Sequence, residues 1–452
     1  MFKAIIVHIP SLSKNKDGEL ESSINYCATG LFSLASEIQK EKFSVEIIHL
    51  GIEKYLNKNF ILSDYIKENK INFVAFSMHW HEQAYDVIEV AREVKNKNPK
   101  VHISLGGLTA SYYAQEILKE YIFVDSIIKG EGEIAIKKLA RALSKNVENF
   151  ENIPNLCYLK NGKFISNENP TPLSFEEFDR LQFFNPDIMK HFREYLRIPF
   201  IINYSKENLF NGDNFFPISL GRGCLGNCAW CGGGYNASVK LSGRREVVYR
   251  NTKSIIDEIK ILNEKYGVKN YAFSFDPKGK NREEIIYLFN KIRDSFQNKI
   301  NTYYNLDGLP DETFLKVFKE TFGSNSTLAL SPVFQNEELR KKYKSFYYSN
   351  NGLESILKKM DDIKINSDIY FSIIPGISEE ENDKSREYGN FLKNKYKYIK
   401  NILIYPVHLE PGAALFEEPK KYNILTKKKT FKNYYKETRS IEKSYENKDL
   451  FI

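Results

Sequence analysis

No apolar run in this chain approaches the roughly 18–20 residues of a membrane-spanning helix. That excludes a spanning segment of that kind. Cysteine is scarce, with five in 452 residues. Three of the five crowd into one short stretch, so they do not form a disulfide framework. Neither sign of charge dominates. The 66 basic and 58 acidic residues leave a formal charge of +8, which permits an anionic cofactor or substrate without demanding nucleic acid. There is no internal repeat, no long low-complexity segment and no obvious catalytic dyad. The opening "MFKAIIVHIPSLSKNKDGE" reads as a first strand followed by charge rather than a signal peptide. These features predict a cytoplasmic protein, free of membrane and nucleic-acid partners, in a reducing compartment. The length predicts two or three domains.

What is present is a regular alternation. Over 1–145, the strands "FKAIIVHI", "SVEIIHL", "INFVAFSM", "VHISL" and "VDSIIKG" alternate with helical patterns. In "QAYDVIEVAREVKNK", Val87, Val90 and Val94 fall on one helical face. Such alternation predicts an α/β fold with a flavodoxin-like (Rossmann-type) parallel sheet, whose ligands sit beyond the carboxyl ends of the strands. Residues 146–215 are less regular. "NLCYLKNGKFISNENPTP" reads as a hairpin and a turn-rich linker, so this stretch is expected to be a connector. A second alternation over 216–406 gives about six βα units, a partial (β/α)6 TIM-like barrel, with chemistry expected at the strands' carboxyl ends. Residues 407–452 are expected to form a helical cover.

The stretch "GRGCLGNCAWCGGGYNA" follows the first strand of that second series. Cys224, Cys228 and Cys231 lie on one tight glycine-rich loop. Structural zinc wants four closed ligands, usually in two separated pairs. Here there are three, and Cys27, Cys157 and the histidines show no paired spacing. A cubane iron–sulfur cluster held by three cysteines leaves one iron open for another ligand. Zinc and three buried structural thiols are the other readings.

C-x3-C-x-aromatic-C after the first strand of a partial barrel resembles the radical S-adenosylmethionine (SAM) superfamily. The resemblance implies a [4Fe-4S] cluster on Cys224, Cys228 and Cys231 whose open iron binds SAM. The reduced cluster then cleaves the sulfonium to give a hydrogen-abstracting 5′-deoxyadenosyl radical, with flavodoxin or ferredoxin as electron donor. Trp230, Gly232 and Gly233 would lie against the cluster and nucleotide. "FSFDP" offers Ser274 and Asp276 for the methionine amino group, although the family's Gly-Gly-Glu is not present. "LALSP" offers Ser331 for the ribose or carboxylate. "IIPGISEEE" offers Ile374 and Gly376 for adenine.

"SLGGLTAS" and "VDSIIKGEGE", in this order ahead of such a barrel, resemble the cobalamin-binding domain of cobalamin-dependent radical SAM enzymes. Together the two resemblances cover about 130–410 and, more loosely, the first 129 residues. Gly106 and Gly107 would let backbone approach the nucleotide tail, with the hydroxyls of Thr109 and Ser77 nearby. Gly130, Glu131, Gly132 and Glu133 would turn the chain at the corrin edge. The Asp-x-His-x-x-Gly motif of many cobalamin domains is not present, which implies no cobalt ligand from that loop. In "SMHWHE", His79 or Trp80 is expected to face the lower side of cobalt and exclude water. A Trp80→Ala protein with unchanged cobalamin spectrum and turnover would refute that.

The two resemblances imply methylation of an unactivated carbon of a small-molecule or peptide substrate, by a radical route or, at a nucleophilic carbon, a polar one. Cobalamin-dependent cyclisation or rearrangement is the alternative. A non-catalytic cobalamin or iron–sulfur sensor is the alternative of another class. Methylthiotransferases carry three further cysteines in the N-terminal domain, where this chain has only Cys27. His408 and Glu410, just after the sixth strand, and Tyr303, Tyr304 and Asp307, at the end of the third, are candidate substrate contacts.

Overall fold

The computed structural model describes residues 2–14, 20–167, 170–197, 215–274, 280–297, 299–425 and 429–439. Its strands are β1 (Lys3–His8), β2 (Ser11–Lys14), β3 (Leu20–Ser23), β4 (Ser44–His49), β5 (Phe73–Ser77), β6 (His102–Gly106), β7 (Ser126–Ile128), β8 (Leu156–Lys160), β9 (Lys163–Ser166), β10 (Phe216–Pro217), β11 (Gly221–Arg222), β12 (Val248–Tyr249), β13 (Asn270–Ser274), β14 (Asn301–Leu306), β15 (Thr327–Val333), β16 (Asn366–Ile373) and β17 (Ile399–Pro406). The fold class predicted from the alternation is the one observed. The chain divides into two compact units: 1–214 with 236–246 and 428–452, and 215–235 with 247–427.

The first unit carries a seven-stranded sheet in the order β4-β1-β5-β6-β7-β8-β9. The first five strands in that order run parallel. β8 and β9 add an antiparallel hairpin. The parallel strands are near-continuous apolar runs because helices cover them. The helix Ala84–Lys97 buries Val87, Val90 and Val94, as its periodicity predicts. Each such side chain contributes about 1.5–3 kcal/mol when fully buried.

Two expected boundaries move. The hairpin within the expected connector belongs to the first sheet, because Leu156, Cys157 and Tyr158 are buried in register with β7. The expected C-terminal cover is split. Residues up to 425 stay with the second unit, whereas the helix Phe431–Thr438 packs on the first. There the Tyr435 hydroxyl donates to Glu89 at 2.7 Å, and Phe431 and Tyr434 lie against Tyr113. An aromatic face on a short helix does not reveal in sequence which distant surface it meets.

The second unit is an open six-stranded parallel sheet, β10-β13-β14-β15-β16-β17. The helix Thr252–Tyr266 is capped by Asn251 and stops at Gly267 in the left-handed conformation. It buries Ile255, Ile259 and Leu262. The β15–β16 pairing shifts register between Leu330 and Val333. Pro332 cannot donate to the ladder there, and such bulges re-aim side chains at strand ends. Among the described residues no helix is long and apolar enough to cross a membrane.

Candidate functional site

In the second unit the cysteine loop follows β10 and is pinned from several sides. The Ala229 N–H donates to Tyr343 O at 2.8 Å, and Leu415 N–H donates to Ala229 O at 2.8 Å. Asn227 N–H donates to Ser345 Oγ at 2.6 Å. Gly232 N–H donates to Glu410 Oε2 at 2.7 Å. A Cβ at Gly232 would stand 2.8 Å from Pro411 O, so glycine is required by that approach. Glu410 is thus a clamp on the cysteine loop.

Cys224, Cys228, Trp230, Cys231 and Ser331 line one cavity of about 330 Å³, together with Asn305, Asp307, Tyr370 and Tyr405. It opens among the carboxyl ends of β14, β15, β16 and β17, the edge where barrel chemistry is expected. Ser331 reaches it through the bulge in β15. Asp307 lines it too, whereas Tyr303 and Tyr304 do not. Tyr303 is 5% exposed, and Tyr304 is fully buried against Phe289 and Phe314. Adjacent strand residues face opposite ways, so the two tyrosines could not have shared the cavity. Ile374 and Gly376 also lie away from it. Ile374 is 1% exposed in a cluster with Tyr422 and Ile424, and a Cβ on Gly376, at φ +87°, would stand 2.5 Å from Tyr422 O. The segment after β17 closes over both. Ser274 ends β13, and Asp276 lies outside the described residues.

Burial, reinforced by the Glu410 carboxylate and the other two thiols, pushes the Cys231 thiol up to about 12, with Gly233 N–H opposing. Without a positive centre this sulfur stays protonated. A bound metal centre is what would make it a thiolate ligand. Gly226 N–H lies 3.3 Å from Cys224 Sγ, a sulfur contact of the kind that tunes cluster potentials. Among the described residues no three His, Cys, Asp or Glu side chains converge as the ligands of a single ion do. A cubane, which spreads its cysteines over different irons, fits this donor set better than zinc. Cys27 and Cys157 are buried in the first unit against the Tyr195 hydroxyl and Ser166 Oγ.

In the first unit, the ends of β4, β1, β5, β6 and β7 form one carboxyl edge. Ser77 is in register with Gly106, and Gly106 with Ile128. Gly107, at φ +104°, packs on the β5 loop. A Cβ there would stand 2.7 Å from the backbone of His79. Gly106 differs. A Cβ on it would meet only Ile128 O at 3.8 Å, so packing does not explain the missing side chain. Thr109 Oγ1 donates to His79 O at 3.1 Å, holding "SMHWHE" against "GGLT". Gln83 Oε1 accepts from the N–H groups of His79 and Trp80, and the two rings meet edge to face at 4.4 Å. The chain turns at Gly130, with φ +64°. A Cβ on Gly132 would meet Leu34 at 3.1 Å. The carboxylates of the turn point inward. Glu131 pairs with buried Arg244 at 2.5 and 3.0 Å, and Glu133 accepts from Ser33 Oγ at 2.8 Å.

Sequence reading missed two histidines. His8 ends β1, His49 ends β4, and they are in register with rings 5.0 Å apart. His49 Nε2 bonds Asn25 O at 2.8 Å, and its Nδ1 accepts from Ile52 N–H at 3.2 Å. His8 Nε2 bonds Ile24 O at 2.9 Å. A carbonyl only accepts, so Nε2 carries the proton. His8 Nδ1 is then a buried lone pair with no partner among the described residues. Burial, with His49 adding, lowers His8 to about 3, and burial lowers His49 and His79 to about 4. The signal was available: a histidine closes each of the apolar runs "KAIIVH" and "SVEIIH". An orphaned buried acceptor and an unexplained glycine on one strand-end edge fit a bound cofactor. A larger groove of about 910 Å³ opens at the opposite, amino edge beside Asn72, Val101 and Asp125.

Residues 26–140 match the family model of the B12-binding domain. An uncharacterized methyltransferase, PH0819, of Pyrococcus horikoshii is 28% identical over 209 residues, covering 46% of this chain and 40% of that protein. The hopanoid C-3 methylase of Methylococcus capsulatus is 22% identical, covering 53% and 44%. The anaerobic magnesium-protoporphyrin IX monomethyl ester cyclase of Rubrivivax gelatinosus is 24% identical, covering 53% and 39%. The chain thus spans less than half the length of each of these relatives. Among solved structures, the radical S-adenosylmethionine methyltransferase TsrM of Kitasatospora setae, with cobalamin and a [4Fe-4S] cluster bound, is similar in fold. Its TM-score is 0.67 at 14% identity, covering 93% of this chain and 78% of that one. TsrM with tryptophan substrate and a SAM analog gives 0.66.

Proposed function

From the premise that this chain has the domain order and fold of the cobalamin-dependent radical SAM enzymes, we propose that it methylates an unactivated carbon of a small molecule. The observation that carries this is the cysteine loop. Three cysteines of a C-x3-C-x-W-C motif line a cavity at the carboxyl ends of a partial barrel that follows a B12-binding domain.

Cys224, Cys228 and Cys231 would hold the cluster, with Trp230 and Ser331 lining the same cavity. Gly226 and Gly233 turn N–H groups toward the sulfurs, and Glu410 fixes the loop's exit. At the other site Gly106 admits the cofactor's nucleotide tail, and Ser77 and Thr109 offer hydroxyls. His79 or Trp80 would exclude water from the bound cobalt. When bound, the cluster supplies an electron to SAM, and the corrin carries a methyl group from SAM to the substrate carbon. Neutral His8 and His49 keep charge away from that edge. A flavodoxin- or ferredoxin-like protein supplies the electron. The tryptophan bound to TsrM favours a small-molecule substrate over a peptide.

The test is anaerobic purification with iron, sulfide and hydroxocobalamin, followed by metal analysis. About four irons and one cobalamin per chain are expected. Stoichiometric zinc or no cluster would refute the reading. Oxidative cyclisation is the second reading, favoured by the cyclase relative. Label from the SAM methyl group in the product separates the two.

A further inference from the structure

Beside the cavity, β14 and β16 bury a chain of polar groups whose hydrogen bonds have a fixed direction. Asp368, 5% exposed, receives the Asn401 side-chain amide on Oδ1 at 3.0 Å and the Tyr303 hydroxyl on Oδ2 at 2.9 Å. The Asn401 backbone N–H also donates to it. Burial raises the Asp368 pKa while these three donors oppose the rise. A carboxylate surrounded by donors is an acceptor. Tyr303 therefore spends its one hydrogen on Asp368. The Tyr303 oxygen also bonds the Tyr370 oxygen, so the hydrogen in that second bond belongs to Tyr370. Tyr370 lines the cavity and Tyr303 does not. A phenol that has spent its hydrogen has only lone pairs left to offer.

We propose that Tyr370 is a specificity-determining residue that presents an acceptor-only oxygen to the cavity. The substrate is then a molecule that turns an N–H or O–H donor toward it. The ring of Tyr405, stacked on Tyr370 at 5.7 Å and also lining the cavity, adds an aromatic wall. The substrate class that follows is a planar molecule with a ring N–H or a phenolic O–H. This rests on the cavity being the substrate side of the site proposed above.

The test compares indole with 1-methylindole, which has the same ring without the donor. Binding of each is measured by anaerobic calorimetry on the iron–sulfur-loaded protein. Wild type is expected to prefer indole by about tenfold, one hydrogen bond's worth. Tyr370→Phe is expected to bring the two within about twofold of each other while keeping ring binding. Asp368→Asn supplies an amide donor to Tyr303, frees the direction of the chain, and is expected to abolish the preference likewise. Equal binding of the probes to wild type, no indole binding, or a preference that survives Tyr370→Phe overturns the proposal. Iron and sulfide are counted on the same samples. Their absence would refute the enzyme reading, whereas the indole ratio stands or fails independently.

Discussion

The carboxyl edge of the first sheet and the surroundings of the cavity in the second unit both gather buried or half-buried titratable groups, and desolvation shifts them in opposite directions. On the first edge the groups are bases. His8, His49 and His79 are lowered to between about 3 and 4. In the second unit they are acids: Cys231, Asp368, Tyr303 and Tyr370 are all raised. Low dielectric disfavours whichever form is charged. The consequence differs between the sites. Neutral histidines leave an uncharged edge, suited to the broad face of a large cofactor. The Cys231 thiol, pushed up by desolvation, becomes a metal ligand only beside a positive centre. Asp368 escapes the pattern in part, because three donors surround it.

The largest test of this contrast is to remove the thiols. Cys224→Ala, Cys228→Ala and Cys231→Ala should each lose most bound iron and sulfide while the B12-binding domain keeps its cobalamin, read from visible spectra and metal analysis. Next is the first unit's own buried charge. Arg244→Ala strands Glu131 and should cost about 3–5 kcal/mol in denaturant unfolding. Retained stability would mean the pair contributes little. Gly107→Ala should cost about 1–3 kcal/mol, through its positive φ and the His79 backbone.

The histidines predict acid sensitivity. In the unfolded chain they titrate near the usual 6.5, and in the folded chain far lower. Above about pH 6.5 both states are neutral and stability is full. As pH falls below that, the unfolded chain takes up protons first, so stability drops by up to about 1.4 kcal/mol per pH unit for each histidine. The loss continues toward the folded values of about 3 for His8 and about 4 for His49. Unfolding measured between about pH 7 and pH 5 should show this slope, and His8→Asn with His49→Asn should flatten it by up to about two protons. The smallest structural effect is expected at Gly106→Ala, within about 0.5 kcal/mol of wild type in stability. Its cobalamin affinity should nevertheless fall. Unchanged affinity would remove Gly106 from the cofactor site.

Much of the fold was legible. Every parallel strand of both sheets lies in a run that periodicity marks, because buried parallel strands are continuously apolar. The short β2–β3 hairpin was not marked, since its residues are polar and exert no period. The cysteine loop was legible from spacing. Glu410 was legible as a candidate, but its bond to Gly232 N–H joins residues far apart in sequence. Ile374 and Gly376 lie away from the cysteine-lined cavity, because the segment that closes over them comes after β17.

Local sequence determined where strands and helices form, that five strands end together on one carboxyl edge, and that three thiols share one loop. These follow from side-chain period, from glycine's conformational freedom and from spacing along a single segment. Only the tertiary structure decided which way buried protons point. Asp368 on β16 orders Tyr303 across the sheet on β14 and, through it, Tyr370 on its own strand, and a carbonyl at Ile24 fixes the tautomer of His8. Hydrogen-bond direction depends on partners brought together by packing, and no single segment of the chain contains both ends of such a bond.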